Sequence, residues 1–458
     1  MPADVGSVAP AGLTPASVIG AEPAPRYAWY VVGVLVLAQA CSFLDRMIMG
    51  LLVGPIRQTF DISDTQFSLL AGLAFAIFYA VMGLPLARVA DSRSRRALIG
   101  IGIAVWSVMT ALCGLAKGFW MLFAARVGVG VGEATLGPAA FSLITDYFPR
   151  RQLARALSVY MCGVAVGSGL AYMIGGAVVT LVADLPEVVL PLVGSVHGWQ
   201  LTFLLVGLPG LAIALLMLTV REPPRRGVLT VAGGGTPGIP LREVARFVWQ
   251  RRGGYGAHML GVSTFVMVVY AFNLWGPTYL IRVFGLTAGE AGWTFGLVML
   301  VAGMAGLLVA GFIADAWMRR GQSDAYIRTI LLSMALMAPF AIGLAFATEL
   351  AWGVAMLFMA VFFSAFQGGI SGGALQLMTP NQMRGQVMAI YLLFANLIGL
   401  GLGPTVVASI TDYVFGDDRA IGKSLALTAA LLCPLGAAIL FLGLSRIRRM
   451  LGESVEWE

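Results

Sequence analysis

The sequence predicts an all-α polytopic membrane protein with twelve transmembrane helices in two pseudo-symmetric six-helix halves, both termini cytoplasmic. Three observations carry this expectation. The 458 residues are 59% hydrophobic and only 11% charged, with a mean hydropathy of +0.88; a soluble chain carries about a quarter charged residues. The apolar residues fall into blocks near the length that crosses roughly 30 Å of hydrocarbon. A stretch in the first half also recurs in the second at one constant offset.

The blocks run at about 28–53, 66–90, 97–117, 119–147, 156–182, 199–220, 257–281, 291–314, 327–347, 351–378, 385–411 and 422–445. Twelve crossings place both ends on one side. The arginines choose that side, because cytoplasmic loops carry the basic excess. Arg93, Arg95 and Arg96 follow span two, Arg150, Arg151 and Arg155 follow span four, and Arg319, Arg320 and Arg328 follow span eight. Arg384 follows span ten, and Arg446, Arg448 and Arg449 follow span twelve. The opposite loops carry Asp61, Asp64, Asp184, Glu187, Asp417 and Asp418.

This placement also explains the net charge of +7 without nucleic acid, since the basic residues sit in the hinges between apolar blocks. Lys117 and Lys423 are the only lysines. Cys41, Cys113, Cys162 and Cys433 are scattered within apolar blocks and show neither CxxC nor Cys/His spacing, so no disulfide framework or metal site is expected. Residues 1–25, rich in Pro and Ala, lack a basic start followed by an apolar core and read as a disordered cytoplasmic tail. The expected organisation is a first half over 26–220, a linker over 221–256, a second half over 257–447 and a tail over 448–458. The linker ends in "LREVARFVWQRR", whose Leu241, Val244, Ala245 and Val248 share a helical face against the arginines. That pattern predicts an amphipathic helix on the membrane surface.

The repeat pairs "ARVADSRSRR" after span two with "GFIADAWMRR" after span eight. Asp91 matches Asp315, and Arg95 and Arg96 match Arg319 and Arg320. "DYFPRRQLARAL" has a looser counterpart in "LMTPNQMRGQVM". Parallel six-helix repeats with a site at the midplane between them describe the major facilitator architecture.

The repeated stretch resembles the major facilitator signature joining spans two and three: a glycine, an aspartate four residues on, then paired basic residues. Gly311, Asp315, Arg319 and Arg320 keep it, whereas the first copy has Ala87 and Ser94 where glycines are usual. "RVGVGVGEA" resembles the family's span-four motif. "FLDRMIMGLL" together with "RVGVGVGEATLGPAAFSLITDYFP" further resembles the Spinster group, including its bacterial members. That resemblance implies transport of lysolipids or sphingoid-type lipids, with proton coupling in bacteria and a place in the inner membrane. Related anion–cation symporters also carry an Asp-Arg pair in span one, but tend to have Glu-Gly where this chain has Glu133-Ala134. Span five lacks the Gly-Pro-x-x-Gly-Gly pattern of drug/proton antiporters.

Four ionisable groups lie deep in spans one and four. Glu133 falls at the midplane, and Arg126 lies seven residues earlier, about 10 Å nearer the outside on the same helix face. Asp45 sits about 6 Å outward of the middle of span one, and Arg46 is adjacent, about 100° around the helix. Each such charge costs a few kcal/mol even on the lenient insertion scale, so a functional cavity is the default reading. A static lock between the two spans is the alternative. Asp45 is the leading proton acceptor, because burial disfavours its charged form and an approaching arginine restores it. Arg126 is the competitor that pairs with Asp45 or Glu133. Glu133 is a second proton site or a headgroup anchor, and Arg46 attracts a phosphate or carboxylate. Gly128 and Gly132 form a GxxxG pair suited to close helix packing. GxGxG with no preceding strand is not a nucleotide loop.

The second half offers neutral counterparts: Asn273 near the position of Asp45, Ser364 near that of Glu133, and Gln367, Gln376 and Asn396. No ionisable residue is expected deep in spans seven to twelve. At the cytoplasmic ends, Asp91, Arg95 and Arg96 with Asp146 and Arg150 are expected to latch the inner mouth. Asp315, Arg319 and Arg320 repeat part of this, more weakly because Leu377 stands where Asp146 does in the first half.

The expected function is alternating-access, proton-coupled transport of an amphipathic lipid by a monomer, with the proton as coupling ion and no cofactor. A symporter of a small organic anion is the second expectation, and size separates the two: a lipid tail needs a deep apolar pocket, a small anion a short polar one. An energy-independent scramblase or a membrane receptor on the same fold is the alternative from another class. No motif supports an ATP-driven pump or an enzyme.

Overall fold

The structure, a computed structural model, describes residues 25–183, 188–190, 194–224, 240–380 and 382–454. Among these, twelve helices are long and apolar enough to cross a membrane. The first half comprises Arg26–Leu51, Asp64–Gly83, Arg95–Cys113, Phe119–Tyr147, Arg155–Ala183 and Gly198–Thr219. The second comprises Arg252–Phe284, Ala288–Arg319, Ala325–Phe346, Leu350–Leu377, Arg384–Phe415 and Asp418–Glu453. The expected tail at 1–25 lies outside the described residues except for Pro25, as does 225–239 of the linker. The linker helix is present as Leu241–Gln250, with Val244 buried and Leu241 and Trp249 exposed.

Helix ends in the second half extend beyond expectation. Span seven begins at Arg252 rather than 257, and the last helix continues to Ser454, through the stretch expected to be a tail. Arginines at both ends keep their heads in the aqueous layer while their stems lie along the helix, which a hydropathy reading scores as loop. The outer connection after span five also holds a short antiparallel hairpin, Val188–Leu190 with Gly194–Val196.

Spans four and ten are each broken near the middle. Helix Phe119–Glu133 gives way to Leu136–Tyr147, and Leu350–Ser364 to Gln367–Leu377. The breaks follow Glu133 and Ser364, the two positions that the repeat pairs. Broken helices at matching places in two repeats are the usual frame of a midplane site.

The halves meet through small residues and, on the face away from the linker, through charges. Between spans five and eight, a Cβ on Gly292 would stand 2.6 Å from the Tyr172 carbonyl oxygen and 2.8 Å from the Gly176 Cα. Only glycine permits that approach. Thr278 of span seven donates to the Gly50 carbonyl of span one at 3.1 Å, and Ser68 of span two to Thr405 of span eleven at 3.1 Å.

The outer ends are joined by an ion-pair cluster that the sequence reading treated only as loop charge. Asp64, fully buried, accepts Arg282 Nη1 and Nη2 at 2.6 and 2.7 Å. Arg57 reaches Asp64 at 3.0 Å and Asp418 at 2.6 Å. The Thr65 N–H and hydroxyl both donate to Asp412 at 2.7 Å. Arg57 and Asp64 belong to the first half, and Arg282, Asp412 and Asp418 to the second. Removing one partner of a buried pair leaves the other uncompensated. Asp64→Asn is therefore expected to loosen the outer seal. A cysteine replacing Ser68 should then react with an impermeant maleimide from the outer side several-fold faster than in the otherwise unsubstituted background. An unchanged rate would assign the seal to the glycine seam alone.

Candidate functional site

The site is assembled from spans one, two, three and four. Asp45, Arg126 and Glu133 are all 1% exposed or less. Span four reaches the others closely because it has no side chain at Gly130 or Gly132. A Cβ on Gly130 would stand 2.6 Å from the Phe75 carbonyl oxygen, and one on Gly132 2.7 Å from the Trp106 backbone nitrogen. These glycines are packing elements, as the GxxxG reading expected of Gly132.

Glu133 is the centre of the polar contacts. Its Oε2 accepts from Ser42 Oγ, from Arg46 Nε and from Arg46 Nη2, each at 2.5 Å. Its Oε1 has no donor among the described residues. Arg46 is further held by rings, its guanidinium 4.6 Å from the centroids of both Phe75 and Tyr79. Asp45 is much more sparsely served. Oδ2 accepts from Thr110 of span three at 3.1 Å, and Oδ1 has no donor among the described residues.

Arg126 forms no ion pair with either carboxylate in this conformation. Its Nε and Nη1 lie 3.5 Å from the backbone carbonyls of Leu70 and Asp45, and its guanidinium sits 5.4 Å from the Phe75 ring centroid. Arg46, not Arg126, answers Glu133. The physical reason is the helix turn between neighbours: Asp45 faces Thr110 on span three, while Arg46 is directed at span four. Arg126 is thus the guanidinium whose donors are left to weak carbonyl contacts.

A cavity of about 30 Å³ lies against this cluster, room for about one water. Arg46, Arg126, Phe75, Tyr172, Tyr270 and Asn273 line it together with Met47, Leu274, Leu400 and Pro404. It therefore lies between the halves. Of the neutral residues expected from the second half, Asn273 reaches it. Ser364 donates instead to the Val361 carbonyl of its own helix at 2.8 Å, and Asn396 to the Leu392 carbonyl at 2.8 Å. Gln367 accepts from Ser371 at 3.4 Å, and Gln376 is exposed. Short polar side chains in helices commonly bond back to their own backbone, and sequence position alone does not reveal this. Ser42, Thr110, Tyr172 and Tyr270 were missed. A hydroxyl inside an apolar span was the available signal for Thr110.

A buried histidine also lies near the linker-side end of span seven. His258 of span seven is fully buried, its Nε2 3.1 Å from the Ser371 carbonyl oxygen.

At the linker face, Arg95 is buried and bonds Asp146, the Ser142 carbonyl at 3.2 Å and Glu222 at 2.8 Å. Glu222 also accepts from the Arg96 N–H at 2.9 Å and from Ser94 at 2.8 Å. Partial burial works against its ionisation, but these donors prevail and hold its carboxyl below the usual range. This network ties span three, span four and the start of the linker within the first half. The side chains of Asp91 and Arg150 lie outside the described residues. Asp315, Arg319 and Arg320 are exposed, and no ion pair joins them among the described residues. The second half instead uses Asp324, which receives Arg448 and Arg328 at 2.7 Å each. Burial again opposes ionisation, and the two arginines outweigh it.

The family model described as Major Facilitator Superfamily matches residues 35–404. The chain is 28% identical to an MFS-type efflux pump of Mycolicibacterium smegmatis, across 93% of this chain and 94% of that one. It is 24% identical to a probable L-galactonate transporter of Escherichia coli, across 82% of each. The fold is similar to a crystal structure of a bacterial homolog of the human lysosomal transporter Spinster in an inward-facing, unoccupied conformation. That similarity has a TM-score of 0.76 at 26% identity and covers 95% of this chain and 99% of the other.

If Arg46 chiefly compensates Glu133, Arg46→Gln should destabilise the solubilised protein by about 3–5 kcal/mol. The double change Arg46→Gln/Glu133→Gln should restore most of that loss. Thermal melting of wild type, both single variants and the double variant closes the cycle; simple additivity would remove the pair from the account.

Proposed function

The chain belongs to the major facilitator superfamily, and from that premise we propose that it is a proton-coupled secondary transporter of an anionic or zwitterionic amphiphile, such as a lysophospholipid or a sphingoid-like lipid. In this reading it acts as a monomer in a bacterial inner membrane. The carrying observation is the unequal service of the four buried charges. Glu133 is saturated on one oxygen by Ser42 and Arg46, whereas Asp45 has Thr110 alone and Arg126 has only distant carbonyls.

That inequality supports a division of labour. Asp45 tolerates burial best when protonated, because a buried carboxylate needs more donors than one hydroxyl. Losing the proton creates an anion beside Arg126, which then turns from the cavity wall to Asp45. A substrate phosphate or carboxylate competes with Asp45 for the same guanidinium. Proton and anion therefore favour each other's binding, and linkage makes the effect reciprocal. They move in the same direction. The sealed outer face and the similarity to an inward-facing structure support release toward the linker side in this conformation.

The 30 Å³ cavity of this conformation holds about one water, and Met47, Phe75, Leu274 and Leu400 are the apolar wall that an acyl chain would meet once the halves part. The L-galactonate relative and the two guanidiniums on the cavity wall favour a second reading, a small organic anion held by Arg126 and Arg46. In liposomes enclosing a pH-sensitive dye, the cognate substrate added outside should acidify the lumen. Lysophospholipids and sugar acids, tried side by side, separate the two readings. Asp45→Asn should abolish the acidification, a loss of at least about tenfold in rate, with melting close to wild type because Thr110 still has an acceptor. Substrate-driven acidification that survives Asp45→Asn would end the assignment of the proton to Asp45.

A further inference from the structure

A second cavity, of about 530 Å³, opens at the linker face between the start of span seven and the end of span twelve. Arg251, Arg252, Arg446 and Arg449 line it, against one carboxylate, Glu453. Nothing in the transport site uses these arginines. Neither Arg446 nor Arg449 has an ion-pair partner among the described residues, and Arg251 approaches Glu453 only to 3.9 Å. Four like charges around one hollow repel each other, and an anion relieves that repulsion.

The hollow is built rather than incidental. Gly253 leaves room for the stem of Arg446, since a Cβ there would stand 2.4 Å from the Arg446 Cδ. Gly254 does the same for Met450, whose Sδ would be 2.4 Å away. Arg251 lies 4.2 Å from the Phe247 ring centroid and Arg252 5.5 Å from that of Trp249. Stacking on rings fixes a guanidinium while leaving most of its N–H donors outward. The first turn of span seven adds the positive end of a helix dipole.

The location selects the ligand. The hollow adjoins the linker helix, which exposes Leu241 and Trp249, the residue types that anchor a surface helix at the headgroup level. Basic pockets between spans on this side accept phosphate-bearing headgroups. We propose that this arginine-lined hollow binds the phosphate ester of an anionic membrane phospholipid, docking the linker helix and the end of span twelve on the membrane surface. The site is separate from the transport cavity and involves neither Asp45 nor Arg126.

Full-length protein in detergent, examined by native mass spectrometry, tests this with dioctanoyl phosphatidylglycerol against dioctanoyl phosphatidylcholine. Soluble glycerophosphoglycerol separates a lipid headgroup from a free phosphate ester. Wild type should retain the anionic lipid at least about tenfold better than the zwitterionic one. Arg446→Gln/Arg449→Gln should lose affinity on the order of thirtyfold, as each basic residue near the surface contributes roughly a fivefold factor. Glu453→Gln should bind more tightly, by a few-fold, and does not depend on the arginine variant folding. Arg319→Gln/Arg320→Gln removes the same charge elsewhere on this face and should change nothing. Unchanged binding in Arg446→Gln/Arg449→Gln, equal loss in the Arg319/Arg320 control, or equal affinity for glycerophosphoglycerol would each overturn the proposal.

Discussion

A carboxylate removed from water must find donors, and in this protein Glu133 finds them on a single neighbouring helix. Ser42 and Arg46 stand one turn apart on span one and converge on the same oxygen. That convergence fixes the rotation of span one against span four. It thereby sends Asp45 toward span three and leaves Arg126 without a carboxylate. The rest of the site follows from this one contact. The backbone of span four is bare at Gly130 and Gly132, so spans two and three come close enough to supply Phe75 beneath both guanidiniums and Thr110 beside Asp45.

The same constraint acts differently at the two membrane faces. On the outer side, Asp64 is fully buried between Arg57 of its own half and Arg282 of the opposite half. On the linker side, Asp146 and Asp324 find their arginines within their own half. Pairs within a half brace it as a rigid body. Pairs across the halves hold a conformation and must be broken to change it. Opening the outer face would expose Asp64 and both arginines to water together, so ion solvation offsets part of the lost attraction. That compensation suits a seal which has to open repeatedly.

The fold was legible because hydrocarbon forces helices, and length, arginine placement and the repeat then fix number, side and symmetry. Asp45, Arg46, Arg126 and Glu133 were legible for the same reason: charges in apolar spans are conspicuous. Their pairing was not, because it depends on helix rotation, which a one-residue step alters by about 100°. Ser364 and Asn396 show the opposite failure. They are conspicuous in sequence but spend their hydrogen bonds on their own helices. The outer cluster was hidden because Asp64 and Asp418 are ordinary in loops. Only the fold brings residues 57, 64, 282 and 418 together.

Span two connects the central site to the outer seal in one continuous element. Arg126 reaches the Leu70 carbonyl, which lies within the wide-turn segment Leu69–Leu73, and Asp64 and Thr65 form the first turn of the same helix. A wide turn leaves a backbone carbonyl less committed to its own helix, which lets a side chain bond it. Span seven makes a second connection, since Thr278 bonds Gly50 of span one and Arg282 follows one turn later. Anything that draws Arg126 away from Leu70, whether an ionised Asp45 or an arriving anion, thus acts on the helix that carries half of the seal. Such a ligand can shift the conformation only by as much as it binds the two states differently. The donors that Arg126 directs at Leu70 and Asp45, at 3.5 Å each, are weak enough to be exchanged for a charged partner. A tight pre-existing pair at Arg126 would have removed that differential, and with it the means of coupling the buried charges to the outer face.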